Sequence, residues 1–142
     1  MIKRAVFLIG PCVIAACQRH PLPALLEGKW KLQRIIKADY TREGQLRQRG
    51  KMPRYSSTYT YLTFTDRVMI YHFQGDSIYS ITNPYTRRGD TLRIVLDGDP
   101  PEDPFIETIV RLRAHHLHLH VTQPHSIDSI YDYAEYDTFL KR

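Results

Sequence analysis

The sequence predicts an all-β fold, a small antiparallel up-and-down barrel of about eight strands, standing after an apolar leading segment. Three observations predict it. From about Leu26 onward, short runs rich in Tyr, Thr, Ile and Val recur between Gly, Pro, Asp and Asn signals. No long stretch with helical periodicity interrupts them. The links between successive runs are of hairpin length, which suits neighbouring antiparallel strands, and closure into a barrel removes the exposed edges that promote aggregation.

Each element has its own signal. Trp30, Leu32, Arg34 and Ile36 mark a first alternating run, Thr58 to Thr65 alternates around Leu62 and Phe64, and Val68 to Phe73 follows after the tight Thr65-Asp66-Arg67 link. Gly75-Asp76 turns into Ser77 to Thr82, and Arg88-Gly89-Asp90 turns into Thr91 to Leu96. Ile106 to Arg113, Leu117 to Thr122 and a last run from about Tyr131 to Leu140 complete the set. The cluster Arg42, Arg47, Arg49, Lys51 and Arg54, broken by Gly44 and Gly50, reads as a solvated loop between two strands.

The leading segment has a different character. Lys3 and Arg4 precede an apolar run from Ala5 to Ala16, about a dozen residues, the length of a signal-peptide core and too short to span a bilayer as a helix. The run closes on Ile14-Ala15-Ala16-Cys17, which resembles the lipobox of bacterial lipoproteins. The resemblance implies that residues 1–16 are removed as a signal peptide and that Cys17 becomes the acylated first residue. Residues 17–25, with two prolines, form the tether, and residues 26–142 the domain. The only other cysteine, Cys12, lies in the discarded segment, so the domain is expected to stand without a disulfide. The acyl chains, palmitate among them, anchor the protein in a lipid bilayer. Gln18 is not the aspartate that retains many lipoproteins in the inner membrane, which implies the outer membrane of a bacterial envelope.

Length and charge narrow the options. Removing 16 of 142 residues leaves enough chain for one domain with a core, expected to be monomeric. The formal charge is +5, of which Lys3 and Arg4 contribute two, so the remainder is mildly basic. An exported lipoprotein of this charge is not expected to bind nucleic acid.

Leu26-Glu27-Gly28-Lys29-Trp30-Lys31-Leu32 resembles the Gly-x-Trp opening of the first lipocalin strand, and especially the Leu-x-Gly-x-Trp-x-Leu opening of lipocalin-like bacterial lipoproteins. Phe64 to Asp66, the Leu-x-Leu-x-Val run at Leu117 to Val121 and the basic Lys141-Arg142 extend the resemblance over most of the domain. It implies that Arg142 packs over Trp30 as a cation–π partner. It also implies an interior that admits one small apolar or amphipathic ligand, lined by Trp30, Leu32, Phe64, Ile70, Leu92, Ile94, Leu117 and Leu119.

Other constellations carry less. On a strand, His116, His118 and His120 share one face and Leu117, Leu119 and Val121 the other, so the leucines claim the interior. The histidines are weak metal candidates, because successive ones lie about 7 Å apart along the strand and Arg111 and Arg113 are expected beside them. No cofactor or bound metal is therefore expected. Asp97, Asp99, Glu102 and Asp103 lie among three prolines without the ligand spacing of a calcium loop. No nucleophile stands beside a base, and no glycine-rich phosphate loop or paired carboxylates occur, so no catalysis is expected. Ten tyrosines suit either ordinary strands or a partly wet cavity. The resulting expectation is a membrane-anchored, non-enzymatic lipocalin-like lipoprotein that binds a small ligand. The alternatives are a ligandless envelope interaction protein and an envelope metal-binding lipoprotein.

Overall fold

The computed structural model describes residues 25–124 and 132–142. Nine strands form one antiparallel sheet: β1 (Gly28–Tyr40), β2 (Leu46–Lys51), β3 (Tyr59–Phe64), β4 (Val68–Gln74), β5 (Ile78–Arg88), β6 (Thr91–Ile94), β7 (Phe105–Arg113), β8 (His116–Pro124) and β9 (Tyr133–Lys141). Strands β3 to β9 pair in chain order, β3 pairs with β1, and β9 returns to the other edge of β1, closing an eight-stranded barrel. The expected all-β up-and-down barrel is thus present. Residues 1–16, Cys17 and the tether to residue 24 lie outside the described residues, as do His125 and Tyr131.

The length of β1 explains the ninth strand. Gly28 to Lys31 pair with β3, whereas Ile36 to Tyr40, farther along the same edge, pair with β2. The basic cluster is therefore not simply a loop: Leu46 to Lys51 form a strand, with Arg42 in the preceding turn and Arg54 beyond its end. All six residues of β2 are exposed, so it is held by backbone pairing with β1 and by the Arg49–Asp137 ion pair at 3.9 Å. Its charged side chains also discourage further pairing along an exposed edge. Arg54 reaches back to donate from Nη2 to the carbonyls of Leu32 and Gln33, at 3.0 and 3.1 Å, where the β1–β9 register skips a residue.

Strand β5 continues to Arg88, beyond the predicted end at Thr82, although it contains Pro84. The Pro84 carbonyl accepts from the Val95 amide at 2.9 Å on the β6 side of the strand. The missing proline N–H falls on that same side, where β6 pairs only with Tyr85 to Arg88, so no ladder bond is lost.

One end of the barrel is closed by a dense apolar plug. Trp30, Phe64, Leu62, Met69, Leu92, Ile94, Leu117, Leu119 and Leu140 are all essentially inaccessible to solvent. Leu32 joins them, so seven of the eight predicted interior positions face inward. Ile70 does not. It pairs with Thr63 and Thr82 on the outward face of β4, while Met69, Tyr71 and Phe73 take the inward positions. The successive apolar residues Val68, Met69 and Ile70 leave the phase of alternation undetermined, and the register decides it.

The plug is capped from below. Trp30 Nε1 donates to the Leu26 carbonyl at 2.8 Å, and the Arg142 guanidinium lies 4.2 Å from the Trp30 ring centroid. Arg142 also donates to the carbonyls of Leu25 and Glu27. Gly28 has φ +124°, and a Cβ there would stand 3.2 Å from Arg142 Nη2, so glycine suits both the backbone and the cap.

Candidate functional site

The interior changes character away from the plug. Along β1, Leu32 gives way after the bulge to Lys37 and Asp39, whose ion pair is 2.8 Å long with Asp39 buried. On β7, Glu107 occupies an inward position opposite Leu92 and is only 7% exposed. On β5, Asn83 pairs with Met69 and is likewise buried. Thr138 of β9 and Tyr59 of β3 meet through a side-chain hydrogen bond. Polar side chains thus occupy buried positions in the interior beside the apolar plug.

Two buried atoms, one on β5 and one on β7, have no protein partner. Asn83 Oδ1 and Glu107 Oε2 are the buried side-chain atoms without a hydrogen bond among the described residues, and both are acceptors. Removal from water pushes the Glu107 carboxyl up to about 7, because burial disfavours the carboxylate. Tyr59 and Tyr71 are also pushed up, first by burial and then by the Glu107 charge, which places the three side chains within electrostatic reach of one another.

Aromatic rings form the facing wall. Tyr59 and Tyr71 meet edge to face at 5.0 Å, Tyr59 and Phe73 do so at 6.4 Å, and Phe73 stacks on Tyr79 at 4.5 Å. In the order of the eight barrel strands, β7 stands opposite β3, so Glu107 looks across the interior at this wall. Register puts Tyr79 and Ile81 on the same inward face as Phe73 and Tyr71, yet they are 46% and 39% exposed. The cause is the shortness of β6: it leaves β5 from Ile78 to Asn83 without a ladder partner on that edge. The inward face of β5 is therefore open to solvent beside the aromatic wall.

With this geometry in place, the chain can be set beside known proteins. No family model matches it, and no curated protein matches it. Among solved structures it is similar to a bovine odorant binding protein, a deswapped triple mutant, at 14% identity and a TM-score of 0.46, over 81% of this chain and 72% of that one.

The sequence-predicted lining divides accordingly. Trp30, Phe64, Leu92, Ile94, Leu117 and Leu119 build the plug, and Ile70 lies on the outer face of the barrel wall. The interior polar and tyrosine residues Glu107, Asn83, Tyr59, Tyr71 and Thr138 were not singled out as a site. One signal for Glu107 is present in the sequence: it lies between Phe105 and Ile109 at the spacing of a single strand face.

The histidine strand serves the outer wall. His118 and His120 donate to the same Asp137 oxygen at 2.9 and 3.1 Å, and His118 stacks on Phe139 at 4.3 Å. Burial pushes the Asp137 carboxyl up, but the two histidines outweigh this and hold it below its ordinary value. Arg111 and Arg113 pair with His118 and His116, as the hairpin reading expects. Among the described residues no group of three or more His, Cys, Asp or Glu is arranged to hold a metal ion, and the acidic loop 97–103 forms simple turns. Beside Phe139 an outer groove of about 720 Å³ is bordered by Arg34, Lys51, Arg111, His118 and Lys141. The Arg34 guanidinium lies 4.5 Å from the Phe139 ring centroid.

Proposed function

We propose that this chain is a membrane-anchored lipocalin-like lipoprotein that binds a small apolar or amphipathic ligand without catalysis. One observation carries the reading: beyond a packed apolar plug, the inward-facing side chains of Tyr79 and Ile81 remain exposed. A folded domain has no stability reason to leave Tyr79 and Ile81 uncovered on an inward face, and a bound apolar group would cover them. The anchor rests on the lipobox resemblance at Cys17, which would place the barrel at the surface of a bilayer, in the outer membrane. The ligand would enter from the side beside β5.

The experiment is native purification of the full chain followed by mass spectrometry of the organic-extractable molecules, beside a delipidated sample. A stoichiometric small amphiphile supports the carrier reading, and an empty, stable barrel opposes it. The same spectra read the anchor: a mass matching a chain that begins at an acylated Cys17 supports it, and an intact, unmodified amino terminus overturns it.

A second reading is favoured by the outer groove. Arg34, Lys51, Arg111 and Lys141 border it without a lining carboxylate, which suits an envelope interaction protein that meets an anionic partner. Loss of pull-down partners in Arg34→Ala with Lys51→Ala, while ligand content is unchanged, would support this reading over the carrier.

A further inference from the structure

The outer face of β7, β8, β9 and β1 concentrates positive charge toward the closed end of the barrel. Register sets two outward rows across these four strands: Arg111, His118, Phe139 and Arg34 form one, and Arg113, His116, Lys141 and Lys31 the other. Between them lies a row of leucines, Leu112, Leu117, Leu140 and Leu32, whose side chains face the interior. Five Arg and Lys side chains thus share one outer face, and Lys51 borders the same groove. Among the described residues none of these six cations is in an ion pair. Asp137, in the next outward position of β9, is already held by His118, His120 and Arg49. Lys31 and Lys141 stand directly opposite one another, and like charges so paired cost stability. The fold itself has no use for this pattern, but an anionic partner does.

Size and position identify the partner. Three strand intervals of about 4.8 Å make each row about 14 Å wide, which exceeds a single phosphate and suits an extended anionic surface. The groove of about 720 Å³ beneath the rows is lined by Phe139 and by Val110, 55% exposed, so apolar surface lies among the cations. The described chain also begins at this end: the Leu25 carbonyl accepts from Arg142, the neighbour of Lys141, at 2.7 Å. From Cys17 to Leu25 the chain advances 25 − 17 = 8 residues, a reach of at most about 28 Å. We infer that this basic face lies against the anionic phospholipid headgroups of the bilayer, with phosphates on Arg34, Arg111 and Lys141 and the adjoining methylenes against Val110 and Phe139. This rests on the membrane-anchored reading and gives the tethered barrel an orientation. Attraction of Lys and Arg to an anionic bilayer falls off within a Debye length, so the rows act only when this face is turned to the membrane.

The test is sedimentation with vesicles of phosphatidylcholine alone and of phosphatidylcholine with about 30% phosphatidylglycerol, using the full chain carrying Cys17→Ser so that no acyl chain contributes. Partitioning is expected to be about tenfold or more stronger into the anionic vesicles at low salt, and to fall steeply as the salt approaches about 0.5 M. Arg34→Gln with Arg111→Gln should lose about fivefold of this selectivity per cation removed. Arg88→Gln with Arg93→Gln removes the same charge from exposed positions on β5 and β6 and should keep the selectivity. Equal partitioning into both vesicles, or equal losses in the two double variants, overturns the inference. Displacement by millimolar glycerol phosphate at constant ionic strength also overturns it, assigning the groove to a soluble phosphoester. The anchor is read separately from the mass of the native amino terminus. An unmodified terminus beside charge-selective binding overturns the anchored reading and leaves the basic face as a peripheral membrane contact.

Discussion

Arg142 and Trp30 form the lock at the closed end of the barrel, with the guanidinium 4.2 Å from the indole centroid. Trp30 is fully buried, so Arg142 covers a surface that would otherwise meet water. The same guanidinium bridges to the Leu25 and Glu27 carbonyls and so ties β9 to the strand entry of β1. Arg142→Ala is expected to cost about 1–2 kcal/mol, from a cation–π contact and hydrogen bonds to exposed carbonyls. Arg142→Lys should recover only part of this, because an ammonium cannot stack and fork at once. Urea unfolding of the three proteins checks it, and equal midpoints would show the lock to be ornamental.

Glu107 makes stability depend on pH in an unusual direction. Its carboxyl titrates near 7 in the fold against an ordinary 4.5, so the folded state holds the proton more tightly than the unfolded one. Its contribution is present in full below about 4.5 and is lost as pH rises through about 7. The difference corresponds to about 3 kcal/mol at most. Glu107→Gln should therefore be more stable than the parent at pH 8 and similar to it at pH 5. Thermal unfolding across this range decides it: parallel curves for both proteins would mean that Glu107 is not held as the buried acid described.

These two sites differ in how far the sequence reveals them. Trp30 and Arg142 were legible through the Leu-x-Gly-x-Trp-x-Leu opening and the basic residues at Lys141-Arg142. The barrel wall was legible wherever polar and apolar residues alternate cleanly, as in Leu92 and Ile94 or Leu117 and Leu119. Strand β2 was hidden because a strand with no buried side has no alternation to display, and only its backbone reports it. Glu107 and Asn83 were hidden for a related reason. Acids and amides in strands usually face water, and only the barrel's closure turns these two inward.

The phase of β4 gives a sharper test of the wall. Met69 is fully buried beside Phe64, whereas Ile70 lies on the outer face between Thr63 and Thr82. Met69→Ala should cost about 2–5 kcal/mol, the usual range for truncating a packed core side chain. Ile70→Thr should change stability by about 0.5 kcal/mol or less, because threonine suits an outward strand position. If denaturant unfolding gave the reverse ranking, the register of β4 would be one residue out of phase.

Histidine chemistry on the outer wall yields a different pH response from that of Glu107. Asp137 is held below its ordinary carboxyl range by donation from His118 and His120. A depressed carboxyl contributes stability above its unfolded value, and this is lost as pH falls through the folded one. Asp137→Asn should therefore flatten the acid limb of the stability profile below about pH 4 while sparing the region near 7. An acid limb unchanged by Asp137→Asn would assign the acid sensitivity to other carboxylates.

The turn between β4 and β5 is fixed by close backbone packing. A Cβ at Gly75 would lie 2.5 Å from the Ser56 carbonyl oxygen and 2.9 Å from its Cα, and backbone atoms cannot yield as a flexible side chain can. Gly75→Ala must therefore push the 52–58 segment away from the mouth of the barrel. That segment begins with Met52, whose amide donates to Ile35, and ends where Thr58 leads into Tyr59 of the aromatic wall. The substitution is expected to destabilise by about 1–3 kcal/mol, the range for overpacking a close contact. It should also weaken amphiphile binding, because a displaced 52–58 segment moves Tyr59. Gly50→Ala, with open space around the new methyl, is the matched control and should change neither property measurably. If calorimetry showed Gly75→Ala binding amphiphile as the parent does despite lower stability, ligand binding would be mechanically independent of the 52–58 segment.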